Sequence, residues 1–182
     1  MDHPAPRELA EPCKRLFFAL SCSEAQRTAI AQWRRELGLR YGRPVASENF
    51  HLTLMFLGAV PLSQIAAVCT AAASVRAPGE LLTVALDRLD RWRRANILLL
   101  APRQEQLALQ QLVYSLQQAL LPLALVSAPK AFRPHLTLAR GYRVEVPESK
   151  TPPDFQLSCR HFTLFESHQG RYRPVAEWPL TP

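Results

Sequence analysis

His51-Leu52-Thr53-Leu54 and His135-Leu136-Thr137-Leu138 are the same tetrapeptide, 84 residues apart in a chain with five histidines. Read as strand, each copy sends its His and Thr to one face and its two Leu to the other. The imidazole and the hydroxyl then lie side by side, roughly 7 Å apart along the strand. Two such strands facing one another would surround a small ligand with two imidazoles and two hydroxyls. That set suits displacement at a phosphodiester. Such a reaction needs a base for the nucleophile's proton and an acid for the leaving oxygen. Two imidazoles that titrate near neutrality can hold opposite protonation states at once. Thr hydroxyls can donate to the non-bridging oxygens as charge builds there. Arg133 and Arg140 flank the second copy, and either guanidinium could add a charge-assisted fork.

One His-Leu-Thr-Leu alone is weak, because the same alternation is an ordinary half-buried strand. The repetition is what carries the reading. Metal binding, the rival use of paired histidines, is disfavoured: no Asp or Glu lies within three residues of His135, and only Glu48 does near His51. His161 and Thr163 form a third H-x-T with different flanks and read as surface, and His3 and His168 fall in the tail and a turn.

The elements that must position these residues follow from periodicity. Residues 15–20 read as a buried strand. Ser23, with Gln26 three residues on, reads as the cap of a helix over 24–38 closed by Gly38. A strand over 49–57 ends at Gly58. A second helix spans Ile65 to Val75. Strands over 81–89 and 96–101 are joined by the basic stretch Asp90-Arg91-Trp92-Arg93-Arg94. In that stretch Trp92 could stack on a base or pack beneath an arginine-rich hairpin. A third helix from Leu109 ends before Pro122, and residues 135–140 are a strand. A loop with Pro147, Pro152 and Pro153 leads to a closing hairpin, 160–166 and 172–178. Strands and helices alternate, but adjacent strand pairs break any steady βαβ rhythm. The expectation is an α+β fold of largely antiparallel sheets, two lobes sharing one body over 14–182, after a disordered lead-in over 1–13.

Composition agrees. With 182 residues, 48% hydrophobic and 20% charged, the chain can bury one domain's core and is not a disordered polymer. The formal charge is +7, and 19 of the 22 basic residues are Arg. Guanidinium grips phosphate at two points, so the charge points to an anionic partner such as RNA, nucleotides or an acidic membrane face, or else to no more than a soluble basic surface. The four cysteines form no CxxC pair, and Cys22 and Cys69 read as small core residues. No glycine-rich nucleotide loop, secretory leader or membrane-length apolar run is present, and a reducing cytoplasm is the expected setting.

The stretches 15–20, 48–58, 133–140 and 162–167 together resemble the 2H phosphoesterase superfamily, and more closely its bacterial and archaeal RNA 2′,3′-cyclic phosphodiesterases, also called 2′-5′ RNA ligases. The resemblance implies a bilobal α+β fold, with two antiparallel sheets related by a pseudo-twofold axis facing a central cleft and helices outside. It implies metal-independent, cofactor-free hydrolysis of a terminal 2′,3′-cyclic phosphate to a 2′-phosphate, with 2′-5′ joining as the reverse reaction. Carried over, His51 is the proton donor, His135 the proton acceptor, and Thr53, Thr137 and Arg140 bind phosphate. Arg133 and Trp92 are further candidates for substrate contact. The expected partners are RNA ends and small cyclic nucleotides, met by a monomer. Phosphodiesters of 2′-5′ oligonucleotides, an ADP-ribose cyclic phosphate, or RNA-end binding without turnover are the alternatives.

Overall fold

The computed structural model describes residues 10–125 and 131–182. In chain order the elements are β1 (Cys13–Ser21), α1 (Glu24–Glu36), β2 (Arg43–Pro44), β3 (His51–Pro61), α2 (Ile65–Ala73), β4 (Leu82–Leu86), β5 (Arg88–Trp92), β6 (Ile97–Ala101), α3 (Leu107–Leu120), β7 (Leu136–Arg140), β8 (Phe155–Cys159), β9 (His161–His168) and β10 (Arg171–Pro179). They form two four-stranded sheets, β10-β9-β1-β3 and β2-β7-β6-β5, plus a two-stranded ladder of β4 with β8. All the strand pairs are antiparallel. The expected α+β class with antiparallel sheets is therefore what forms.

The two large sheets repeat one plan. In each, the strand carrying His-Leu-Thr-Leu pairs with a central apolar strand: β3 with β1, and β7 with β6. The central strand then pairs with a third, β9 or β5. The strand preceding each third strand, β8 or β4, leaves its own sheet and pairs with its counterpart, tying the two halves together. Irregularities repeat as well. Opposite β1 the register skips Leu54, between Phe18–Met55 and Ala19–Thr53. Opposite β6 it skips Leu138, between Leu98–Ala139 and Leu99–Thr137. Each motif thus carries a bulge at its fourth residue. A bulge bends and twists its strand locally, which is how sheets re-aim side chains near a site.

One contiguous core runs through both halves. Leu52 and Leu54 of the first motif and Leu136 and Leu138 of the second are all buried in it. Phe18 contributes from β1, packed on Phe162 and Trp178. α1 begins with a reciprocal cap: Ser23 Oγ accepts from the Gln26 N–H, and the Gln26 side chain accepts from the Ser23 N–H. It buries Ile30 and Trp33 against the body, with the Trp33 indole donating to the Thr151 carbonyl at 2.9 Å. Arg34, in its last turn, reaches across. Its Nη1 donates to the Val45 carbonyl at 2.6 Å and the Leu138 carbonyl at 2.8 Å, and its guanidinium lies 4.8 Å over the Phe50 ring.

Several boundaries differ from expectation. β3 does not stop at Gly58. It continues to Pro61, with Gly58 held at φ 70° beside a second skip at Leu57, a conformation in which glycine carries no Cβ penalty. The single strand expected over 81–89 is two strands in different sheets. They part at Asp87, whose N–H donates to the Ala101 carbonyl and whose carboxylate accepts from the Arg103 N–H. Asp90, Arg91 and Trp92 belong to β5, not to a connecting loop, and the turn is confined to 93–96. Helix α1 ends at Glu36, before Gly38. β2 and β8 fall where loop was expected. The disordered lead-in expected over 1–13 does not extend to residues 11–13. Glu11 accepts from the Ser63 N–H at 2.8 Å, the Pro12 carbonyl accepts from the Leu62 N–H at 3.1 Å, and Cys13 opens β1. Residues 1–9 lie outside the described residues.

Candidate active site

β3 and β7 approach one another where the two sheets meet. His51 stands at the first position of β3. Its Nδ1 lies 2.7 Å from the carbonyl of Asn49, two residues back on its own chain. A carbonyl only accepts, so Nδ1 carries the proton and Nε2 is the exchangeable position. That Nε2 is 2.8 Å from Thr53 Oγ1, so in the neutral ring the Thr53 hydroxyl donates to it. Two aromatic rings enclose the imidazole: Phe17, with centroids 5.1 Å apart, and Tyr172, edge-on at 5.0 Å. Phe17 also packs on Phe56 and Phe165. Phe17 and Phe18 therefore face opposite ways along β1, one beside His51 and the other in the core.

His135, just before β7, repeats the device. Its Nδ1 lies 2.8 Å from the carbonyl of Arg133, again two residues back, and again must be the protonated nitrogen. Its surroundings differ. The Trp92 ring sits 4.2 Å from it, and the Arg133 guanidinium lies 4.1 Å over that same indole. Trp92 rests on Ile97, Leu99 and Ala101, a small apolar patch apart from the main core. Its Nε1 is the one buried side-chain nitrogen or oxygen without a hydrogen-bond partner among the described residues.

The two motifs act on each other. Burial holds the His51 pKa below its ordinary value of 6.5, and the Arg140 guanidinium and the His135 ring add repulsion. Burial also lowers His135, with Arg133 and Arg140 repelling its proton. The Asn49 and Arg133 carbonyls pull the other way without reversing either shift. The Arg140 charge bears on both imidazoles. No group of three or more His, Cys, Asp or Glu side chains among the described residues is placed to hold a metal ion.

Of the residues singled out in the sequence, His51, Thr53, His135, Arg133 and Trp92 all make contacts here, and Arg140 acts on both histidines. Thr137 lies on β7 opposite Leu99 and has no hydrogen bond to His135. Trp92 lies beneath Arg133 and beside His135. His161 is exposed and 3.9 Å from Glu177, apart from this constellation. The Nδ1 acceptors were not foreseeable, since a backbone carbonyl leaves no residue type to read. Tyr172, which the sequence left between core packing and the cleft, comes from the last strand and lies against His51.

A family model for LigT-like phosphoesterases matches residues 20–98, which include the first motif but not the second. Over 182 aligned residues the chain is 36% identical to a protein of Escherichia coli K12 described as RNA 2′,3′-cyclic phosphodiesterase. The alignment covers 95% of this chain and 99% of that protein. The chain belongs to the LigT-like 2H phosphoesterases. A second member of the same description, from Geobacillus stearothermophilus, is 30% identical over 181 residues, covering 90% of this chain and 56% of that protein. The fold of this LigT-like phosphoesterase matches the crystal structure of E. coli LigT complexed with 3′-AMP. The TM-score is 0.83 at 32% identity, covering 93% of this chain and 99% of the other.

Proposed function

We propose that this LigT-like phosphoesterase opens terminal 2′,3′-cyclic phosphates of RNA, and of small cyclic nucleotides, to give 2′-phosphates. The observation that carries the reading is the matched pair of imidazoles. Each has Nδ1–H committed to the backbone carbonyl two residues back and Nε2 left for proton exchange, and each lies within the influence of Arg140. His135 Nε2 takes a proton from water as the water oxygen attacks phosphorus. The P–O3′ bond breaks, and His51 Nε2 delivers its proton to the departing O3′. The products are a 2′-phosphate and a 3′-hydroxyl. Thr53, Thr137 and Arg140 stabilise the non-bridging oxygens. Joining through a 2′-5′ linkage is the reverse use of the same groups.

The division of roles is supported by charge. His135 faces two guanidiniums, Arg133 and Arg140, which favours its neutral, basic form. His51 faces one guanidinium, with the Phe17 ring packed beside it. Trp92 has Arg133 over its ring and His135 beside it, so its part is to position His135, while Arg133 is the one aimed at substrate. The chemistry requires no metal or cofactor in this scheme. A single chain supplies every group, which fits action as a monomer. No helix among the described residues is long and apolar enough to cross a membrane.

The test is digestion, in chelator, of an RNA ending in a 2′,3′-cyclic phosphate, with products resolved as 2′- or 3′-phosphate. The expected product is the 2′-phosphate, lost in His51→Ala and His135→Ala. A 3′-phosphate would reverse the leaving group, and full activity of both variants would end the proposal.

A further inference from the structure

The β2-β7-β6-β5 sheet carries a row of directly opposed residues. Arg43 of β2 pairs with Arg140 of β7, Arg140 with Ile97 of β6, and Ile97 with Trp92 of β5. Residues directly opposite in an antiparallel ladder project from the same face. Arg43 therefore stands on the face that holds Arg140 and Trp92, one strand spacing, about 4.8 Å of backbone, beyond Arg140. Two like charges directly opposite destabilise a sheet unless something else holds them there. Neither guanidinium has a carboxylate within ion-pair distance among the described residues; the ion pairs there are Lys14–Glu166, Arg88–Asp90 and His161–Glu177.

The backbone makes room for this pair. A Cβ on Gly42 would come within 3.0 Å of the Arg140 carbonyl. A Cβ on Gly141 would come within 3.0 Å of Arg43 Nη1 and 3.5 Å of its Cζ. One glycine thus lets β2 close on β7, and the other leaves the space in which the Arg43 guanidinium lies. β2 is only two residues long, and half of it is Arg43.

We infer that Arg43 binds the phosphodiester on the 5′ side of the terminal ribose, the next anion along an RNA whose cyclic phosphate sits at Arg140. This rests on the function proposed above and deepens it: the preferred substrate is a chain of at least two nucleotides, not a nucleoside cyclic phosphate. A nucleoside 2′,3′-cyclic phosphate with a free 5′-hydroxyl has nothing for Arg43 to hold. A dinucleotide ending in the same group does.

The experiment compares those two substrates with wild type, Arg43→Gln and Arg43→Lys. Arg43→Gln is expected to lose about tenfold or more in kcat/KM on the dinucleotide, as for removal of a charge-assisted phosphate contact, with a shallower salt dependence. It should change less than twofold on the mononucleoside. Arg43→Lys, which keeps a point charge, should recover part of the loss. Equal losses on both substrates would overturn the inference, as would no loss on the dinucleotide. The two products, each ending in a 2′-phosphate, are also titrated against each protein. If wild type cleaves neither substrate the hydrolytic proposal fails, while Arg43 is still judged by whether Arg43→Gln weakens the dinucleotide product selectively.

Discussion

Replacing Arg34 by Met tests whether the bulge in β7 is held from outside its own sheet. Arg34 projects from the last turn of α1, and one of its nitrogens donates to both the Val45 and Leu138 carbonyls. Leu138 is the bulged residue of the second motif, next to Thr137. Hydrogen bonds from a charged donor contribute about 1.5–3 kcal/mol each when well buried. Arg34 is half-buried, and the Leu138 carbonyl keeps a bond from the Val45 N–H at 2.9 Å, so the lower end applies. The contact over Phe50 adds about 0.5 kcal/mol. The combined loss is about 2–4 kcal/mol, since Met replaces the apolar stem but not the donor nitrogen. For a chain of this size that lowers Tm by about 5–15 °C, readable by circular dichroism or calorimetry. Arg34→Lys, which keeps the charge but not the fork, should fall between the two. Because the slackened bulge adjoins Thr137, kcat should fall at temperatures well below the transition, while the rest of the fold persists. A Tm within two degrees of wild type, at about the precision of the measurement, would refute the argument.

Four further outcomes are expected. Both histidine pKa values are depressed, so the bell-shaped profile of kcat/KM should centre below the ordinary 6.5. Arg133→Ala removes one repelling charge from His135, raises its pKa, and should move the acid limb to higher pH; an unmoved limb would contradict the placement of that charge. By the same sign, a folded-state histidine that resists protonation favours folding at pH above its unfolded value and loses that contribution as pH falls through the folded value. Denaturant midpoints of wild type should thus drop between neutral and mildly acidic pH more steeply than those of a His51→Gln, His135→Gln double variant. Trp92→Ala should lower kcat more than it raises KM, since the indole props His135, and Trp92→Phe should restore part of the rate; an effect confined to KM would make Trp92 a substrate contact instead. Finally, burial pushes the Cys22 thiol up to about 12 and Cys159 up to about 11, and raises Cys69, whereas Cys13 is exposed. A thiol reagent at neutral pH should modify Cys13 first in the native protein. Fast labelling of Cys22 would show that its surroundings open readily.

What could be read in advance was what the chain repeats or punctuates locally. Two identical His-Leu-Thr-Leu segments declare their strand period, and Ser23 with Gln26 declares a helix start through side chains that bond their own backbone. What could not be read depends on partners distant in sequence. The run from Leu81 to Leu89 is continuous in hydrophobicity, and only its two different partner strands split it at Asp87. Phe155-Gln156-Leu157-Ser158-Cys159 alternates acceptably, yet three preceding prolines hid it until β4 lay opposite. Gly58 has the composition of a stop, but β1 runs on beside it and makes it a bulge. At the site, residue type revealed the two histidines. The Nδ1 acceptors and the Arg43–Arg140 pairing are facts of backbone geometry and register, which no single residue announces.

The orienting partner of each imidazole is an uncharged backbone carbonyl two residues back, just ahead of the strand, not a carboxylate. No carboxylate among the described residues therefore stabilises an imidazolium, and the site holds two reluctant bases beside arginines. A bound phosphate supplies the missing negative charge and raises the proton affinity of both rings. Ligand capture thus becomes proton uptake. The phosphate brings its own counter-charge to the catalyst, and the heat of binding should vary with the ionisation enthalpy of the buffer that donates the proton.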